Sequence, residues 1–312
     1  MDGNGTHMKK VNRVSVATVI QGTRERNKLE LERMARKLKD LLREESLVET
    51  AIAITGSDAR LEKGHFSESE LIVFANQNGD TKSAEILRSH GFDVEIKIIG
   101  SETLSFYEGK RNTVFPQRVY DSVVLVGNPD VFVEAKRRLV SEWKEIRGIK
   151  EEIKRKKAEY RIALNGEQNW KGCKVRNYDL ETGEAYYFDD TETGARIRSF
   201  KNGPLRFVQF AVTNSLISSI KARTTEAGVR IMEEIPTNTS DRIEFLRSVR
   251  VLDLEPAEAR AMVEIYEHFL CAYHISEWES KKGRRTTAVD IVETRERIIE
   301  LEKIIEGMGI IQ

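Results

Sequence analysis

Cysteine is scarce in this chain: Cys173 and Cys271 are the two it has. They lie far apart in sequence, lack metal-ligand spacing and fall short of a disulfide framework. A disulfide-stapled scaffold and a zinc ribbon are therefore excluded, and both residues read as plain thiols in a reducing compartment. Long apolar runs are missing too. No stretch of eighteen or more apolar residues occurs, which leaves no candidate for a membrane-spanning helix. The opening Met1 to Met8 has neither the cationic nor the apolar part of a secretory signal and reads as a cloning remnant, so the expected location is the cytoplasm, with no membrane partner. Net charge is the third absence. Fifty-one Lys and Arg balance 51 Asp and Glu, so no global field draws in nucleic acid or an anionic surface, and any RNA contact has to be local.

What is there suits two ordinary globular domains: 312 residues, 39% hydrophobic and 33% charged. After a short apolar alternation around Val14 to Val19, residues 24–46 place Leu29, Met34, Leu38, Leu41 and Leu42 on one helical stripe among charges. Val48 to Thr55 and Leu71 to Phe74 read as strands, with a helix from Thr81 to His90 after them. Phe92 to Ile99 alternates strictly, with Asp93, Glu95 and Lys97 on one face. Ser122 to Val126 is a further strand, followed by Asn128 as a helix cap with Pro129 in the first turn. Residues 165–203 lose helical period and gain glycine, which reads as an irregular or hairpin-containing connector. Helical pattern returns near 205–223, 240–252, 256–280 and 287–307, broken at Pro236, Pro256 and Gly283. The expected organisation is an α/β domain over 9–164, a connector over 165–203 and an α-helical domain over 204–312.

The chemistry concentrates after the first strand. A strand ending in Gly56-Ser57 lets backbone N–H groups approach an anion closely, because glycine has no Cβ, and the hydroxyl adds a donor. Phosphate is the natural guest. Glu68 and Glu70, two apart in an extended segment, turn both carboxylates to one face, and two adjacent carboxylates repel unless a cation sits between them. Mg²⁺ held by carboxylates and substrate phosphates answers that requirement, with Glu95 on the next strand as third acid and Asp93 as second choice.

These residues resemble a known family. Gly56-Ser57-Asp58-Ala59-Arg60-Leu61-Glu62, followed by Ser67-Glu68-Ser69-Glu70-Leu71-Ile72-Val73, is similar to the Gly-Ser, acid-x-acid signature of the DNA polymerase β-like nucleotidyltransferase superfamily. The Gly-Ser-x-x-Arg form is closest to the branch containing the uridylyltransferase of the PII protein and the adenylyltransferase of glutamine synthetase. Phe115-Pro116-Gln117-Arg118-Val119-Tyr120-Asp121 and Lys201-Asn202-Gly203-Pro204-Leu205-Arg206 resemble further segments of that branch, in the same order. The resemblance implies an α/β (α+β) nucleotidyltransferase-like domain with a mixed sheet, followed by an all-α helical bundle. It implies transfer of a nucleoside monophosphate from a nucleoside triphosphate, such as ATP, to a hydroxyl on a protein or small molecule. Glu68 and Glu70 would bind metal, Glu95 would help activate the acceptor, Gly56 and Ser57 would hold phosphates, and Arg60 would neutralise the leaving group. Lys201 and Arg206 would be further phosphate or acceptor contacts. The chain has Glu at both acidic positions where family members usually place Asp at the first and often at the second. That moves each carboxylate one methylene outward and brings in Mn²⁺ as an alternative to Mg²⁺.

Each residue also has a plainer reading. Gly-Ser is a common turn dipeptide, and Glu68, Glu70 and Glu95 suit the solvated edge of a strand. The basic run from Lys136 to Arg161 is interleaved with glutamates in helical i,i+4 pairs. A nucleotide-binding regulatory protein with little or no turnover, and an RNA-binding or RNA-modifying relative, are the rival functions.

Overall fold

The computed structural model of the chain describes residues 15–44, 50–64, 67, 69–75, 83–92, 94–99, 118–145, 168–170, 173–176, 186–187, 204–281 and 291–308. The first helix, α1 (Val16–Glu44), begins where alternation was expected. Its inward face runs Ile20, Thr23, Asn27, Leu38 and Leu41, a 3.6-residue series that continues upstream of the leucine stripe and absorbs two polar residues. Leu29, assigned to that stripe from the sequence, is 55% exposed. It stands two positions past Asn27, roughly 200° around the axis from the buried face.

Four strands form the main sheet: β1 (Thr50–Ile54), β2 (Leu71–Ala75), β3 (Val94–Ile99) and β4 (Val123–Gly127), in the order β3-β2-β1-β4. Between them lie the short turn α2 (Gly56–Ala59) and helix α3 (Ser83–Ser89). β1 runs antiparallel to both β2 and β4, whereas β2 and β3 are parallel, so the sheet is mixed. Ile54 pairs with Leu71 and Val123, and Leu71 pairs with Val94. One end of the sheet therefore gathers the C-terminus of β1 and the first residues of β2, β3 and β4. Both faces are covered. Ile52, Ile54, Leu71 and Val73 pack with Leu38 and Leu41 of α1 and Leu87 of α3. Ala51, Ala53, Ile72 and Phe74 join a larger core with the helical half, to which Ile20 of α1 also belongs. Two-sided burial is why β1, after its first residue Thr50, and β2 are continuously apolar rather than alternating.

Helix α4 (Pro129–Glu145) starts as its sequence proposes: Asn128 Oδ1 accepts from the Asp130 N–H at 3.0 Å, with Pro129 at the first helical position. The preceding Gly127 has φ +99°, and a Cβ there would lie 2.1 Å from the Thr50 carbonyl oxygen, so the close approach of β4 to β1 requires glycine. Beyond residue 145 the charged stretch lies outside the described residues. The connector contributes a small antiparallel sheet, β5 (Gln168–Trp170), β6 (Cys173–Arg176) and β7 (Tyr186–Tyr187).

The helical half comprises α5 (Arg206–Ala222), α6 (Thr225–Glu234), α7 (Thr239–Ser248), α8 (Pro256–Lys281) and α9 (Ile291–Gly307). Helix α5 is buried along most of its length. Its core polar side chains return to their own helix: Thr213, Asn214 and Ser215 donate to the carbonyls of Gln209, Phe210 and Ala211 at 2.8, 2.9 and 3.0 Å. Helix α6 is absent from the sequence expectation. At ten residues it is too short for a clear period, but Thr224 caps it by accepting from the Ala227 N–H.

Candidate active site at the sheet end

The turn after β1 is wound tightly. Gly56 takes φ +67°, the Arg60 N–H donates to its carbonyl at 3.2 Å, and the Glu62 N–H donates to the Ser57 carbonyl at 2.8 Å. The Thr55 N–H donates to the Glu70 carbonyl at 3.2 Å, and the Thr55 hydroxyl donates to the Arg118 carbonyl at 2.7 Å. Glu70 and Arg118 are thus fixed as backbone neighbours of the Gly56-Ser57 turn. The Glu70 side chain is 36% exposed, and Arg118 Nη2 stands 3.8 Å from its carboxylate. On β3, Val94 pairs with Leu71 and Ile96 with Ile72, so Glu95 is the extra residue of a register shift opposite the Leu71–Ile72 step, at the start of β2. Its side chain lies outside the described residues, as do Glu68, Asp93 and Lys201. Arg206 opens α5, half-buried.

Arg60 is placed otherwise than its motif implies. A guanidinium meant for a leaving group needs an open face, but Arg60 is 7% exposed. Its Nε donates to Glu62 at 2.8 Å and its Nη1 to Asp121 at 2.6 Å. Arg242 of α7 shares Asp121, stacks over the Tyr120 ring at 4.3 Å, and donates to the Pro236 and Thr237 carbonyls. Glu62 in turn accepts from the Thr239 N–H at the start of α7 at 3.0 Å and from the Tyr266 hydroxyl of α8 at 2.7 Å. Two cations and two carboxylates, all buried, close a neutral network between the turn and the helical half. Leu61, at φ +60°, lies between the two buried members Arg60 and Glu62. Burial opposes the charge on Arg60, but Asp121 and Glu62 outweigh it and hold the group above its ordinary range. Burial and Glu62 push Tyr266 up, so its hydroxyl stays a proton donor.

A second cluster lies between the turn and β2. Asp58, one residue past Ser57, is 3% exposed. The Ser69 hydroxyl donates to its Oδ1 at 3.3 Å, Lys63 Nζ stands 3.4 Å from the same oxygen, and Lys63 also donates to the Ser69 hydroxyl. Burial pushes the Asp58 carboxyl up to about 6, partly countered by Lys63. Neither cluster was singled out from the sequence. Arg118 and Asp121 fall inside the Phe115-Pro116-Gln117-Arg118-Val119-Tyr120-Asp121 segment, the sequence signal that points to them.

Among the described residues no group of three metal-ligating side chains is assembled. The donors that would complete one, Glu68 and the Glu95 carboxylate, lie outside that set. Of the three expected acids, Glu70 has its side chain among the described residues, partly exposed; carboxylate oxygens are donors that suit Mg²⁺ or Mn²⁺ rather than a softer metal. An open groove between α4 and α6, lined by Glu134, Arg137, Arg138, Arg230 and Glu233, lies elsewhere and contains none of these residues. His268 and His274 pack against Phe269 and Tyr273 at ring separations of 5.5 and 5.2 Å, in keeping with a packing role. Cys271 is a free, buried thiol. No helix among the described residues is long and apolar enough to cross a membrane. Compared with family models and with curated proteins, the chain matches none.

Proposed function

We propose that the sheet end is the site of a metal-dependent nucleotidyltransferase, which moves a nucleoside monophosphate from a nucleoside triphosphate to a hydroxyl on a protein or small molecule. One observation carries this reading: the Thr55 N–H to Glu70 carbonyl bond and the pairing of Val94 with Leu71 put the Gly56-Ser57 turn after β1, Glu70 before β2 and Glu95 early in β3, on adjacent strands at one end of a mixed sheet. Backbone N–H groups at the positive-φ Gly56 and the Ser57 hydroxyl bind the triphosphate. Glu70 and Glu95, with Glu68 as sequence partner, would hold Mg²⁺ or Mn²⁺, which when bound neutralises phosphate charge. The acceptor hydroxyl attacks the α-phosphorus, its proton passes to a carboxylate, and pyrophosphate leaves. Rate enhancement then comes from positioning and electrostatics. With Arg60 buried in the network, Arg118, 3.8 Å from Glu70, takes over as the cation beside that acid.

The test is incubation with labelled ATP, UTP, CTP or GTP plus Mg²⁺ or Mn²⁺, using Glu70→Gln as control. Pyrophosphate release by the native chain and its loss in Glu70→Gln support the reading. Equal background release from both proteins refutes it. A second reading is favoured by Arg118 standing 3.8 Å from Glu70, where it can partly replace a metal's charge: a regulatory protein that binds nucleotide without turnover. Nucleotide-dependent thermal stabilisation with no pyrophosphate release under any of these conditions selects it.

A further inference from the structure

We propose that Asp58, Lys63 and Ser69 form a positioning clamp that fixes the spacing between the phosphate-binding turn and the carboxylate of Glu70. The three side chains close a triangle. Lys63 donates to the Ser69 hydroxyl, Ser69 spends its single proton on Asp58 at 3.3 Å, and Lys63 faces Asp58 at 3.4 Å. Asp58 is covalently next to Ser57, and Ser69 is next to Glu70, so the triangle adds a side-chain link between the two halves of the proposed site beside the Thr55 N–H to Glu70 carbonyl bond. It also sets direction. Ser69 and Glu70 are successive residues entering a strand, and their side chains leave on opposite faces. Holding Ser69 against the 4%-exposed Asp58 side chain therefore commits Glu70 to the other face, where its side chain is 36% exposed.

The clamp is anchored from outside. The Lys63 carbonyl accepts from Arg26 Nη2 at 2.6 Å and from Asn27 Nδ2 at 3.2 Å, and Asn27 is the buried polar residue on the inward face of α1. Helix α1 thereby holds the Lys63 backbone while its side chain reaches the other two members. A buried Asp58 carboxyl held by the half-buried Lys63 and Ser69 needs a reason to exist, because an apolar side chain of similar volume packs there without the desolvation cost. Setting the geometry of the neighbouring carboxylate supplies it, since residues supporting a ligand typically change metal affinity about 10- to 100-fold when removed.

The link to metal rests on the nucleotidyl-transfer reading, so the test has two readouts. The first is hydrogen exchange at the Thr55 amide, whose acceptor is the Glu70 carbonyl; the second is the affinity for Mn²⁺ with ATP. Ser69→Ala, which deletes one oxygen, speeds Thr55 exchange about tenfold with little change in global stability. It also weakens Mn²⁺–ATP binding about tenfold. Ser69→Thr, which keeps the hydroxyl, restores both. Lys63→Met repeats the result; where it fails to fold, Ser69→Ala carries the test. Thr55 exchange within twofold of the native chain overturns the clamp, as does faster exchange with native Mn²⁺–ATP affinity retained. If the native chain binds no Mn²⁺–ATP, the nucleotidyl-transfer reading fails, and the exchange result alone decides the clamp.

Discussion

Asp121→Asn is the sharpest probe of how the turn is held. Asp121 is 3% exposed and serves two guanidiniums, Arg60 Nη1 at 2.6 Å and Arg242 Nη1. The amide has nearly the same shape, but it removes the charge and turns one oxygen into an N–H₂ donor facing a guanidinium. The buried network goes from neutral to a net charge of +1. Arg60 keeps Glu62, and Arg242 keeps the Pro236 and Thr237 carbonyls, so neither cation is stripped entirely. Removing one partner of a buried ion pair costs about 3–5 kcal/mol. For a chain of this size that lowers the thermal midpoint by about 10 °C. The comparison is Glu233→Gln, which breaks an exposed pair with Arg137 at 3.5 Å and is expected to cost less than about 0.5 kcal/mol. Denaturant unfolding of both variants, with unchanged m-values, measures the two costs on one scale. The double variant Asp121→Asn with Arg242→Met should recover part of the loss, because the excess buried cation is gone. If Asp121→Asn unfolds no earlier than Glu233→Gln, the network does not hold the turn and the reasoning fails.

Burial raises the Asp58 carboxyl from 3.8 to about 6, so the fold binds that proton more tightly than the unfolded chain does. The linked stability is fully present below about pH 4 and lost as pH rises through about 6, so the stability difference between the native chain and Asp58→Asn should fall by about 2 kcal/mol from pH 4.5 to 7.5; a pH-independent difference refutes it. Gly127→Ala places a Cβ 2.1 Å from the Thr50 oxygen at φ +99° and should cost more than about 2 kcal/mol; denaturant unfolding within 0.5 kcal/mol of the native chain would contradict the β1–β4 contact. Arg60→Lys keeps the charge but cannot span Glu62 and Asp121 together, so it should lower stability by about 1–3 kcal/mol before any nucleotide is added. Unchanged stability with weakened nucleotide binding would instead return Arg60 to the phosphate role its motif implies.

Local pattern carried much of the fold because the relevant forces act over a few residues. The Asn128–Pro129 cap, the apolar runs of β1 and β2 and the long helices α5 and α8 are legible from neighbours alone. Apolar spacing alone puts Leu29 on the wrong face and starts α1 too late, because the polar Thr23 and Asn27 hold part of its inward face. Asn27 is there to hold the Lys63 carbonyl, a partner 36 residues away, and no window on α1 contains that reason.

The same limit explains the site. Gly56, Glu70 and Glu95 stand out in the sequence because backbone freedom at glycine and strand alternation are local properties, and the sheet puts the Gly56 turn, the start of β2 and the start of β3 at one end. Arg60 could not be understood that way. Its sequence neighbourhood, a glycine turn and two acids, is what a phosphate ligand would show, and its actual partners are Glu62 and Asp121, with Arg242 beyond. Asp121 is 61 residues from Arg60 and 121 from Arg242, so the choice between binding phosphate and closing a buried network is made by tertiary packing. A buried guanidinium between two carboxylates has its hydrogen-bonding directions committed, and freeing it for a ligand would leave Asp121 and Glu62 short of a cation in the core. In this chain the Gly-Ser turn therefore faces the sheet end while its Arg-x-Glu continuation faces inward. One short motif binds the turn to α7 and α8, whose helix N-terminus and tyrosine hydroxyl complete the bonding of Glu62.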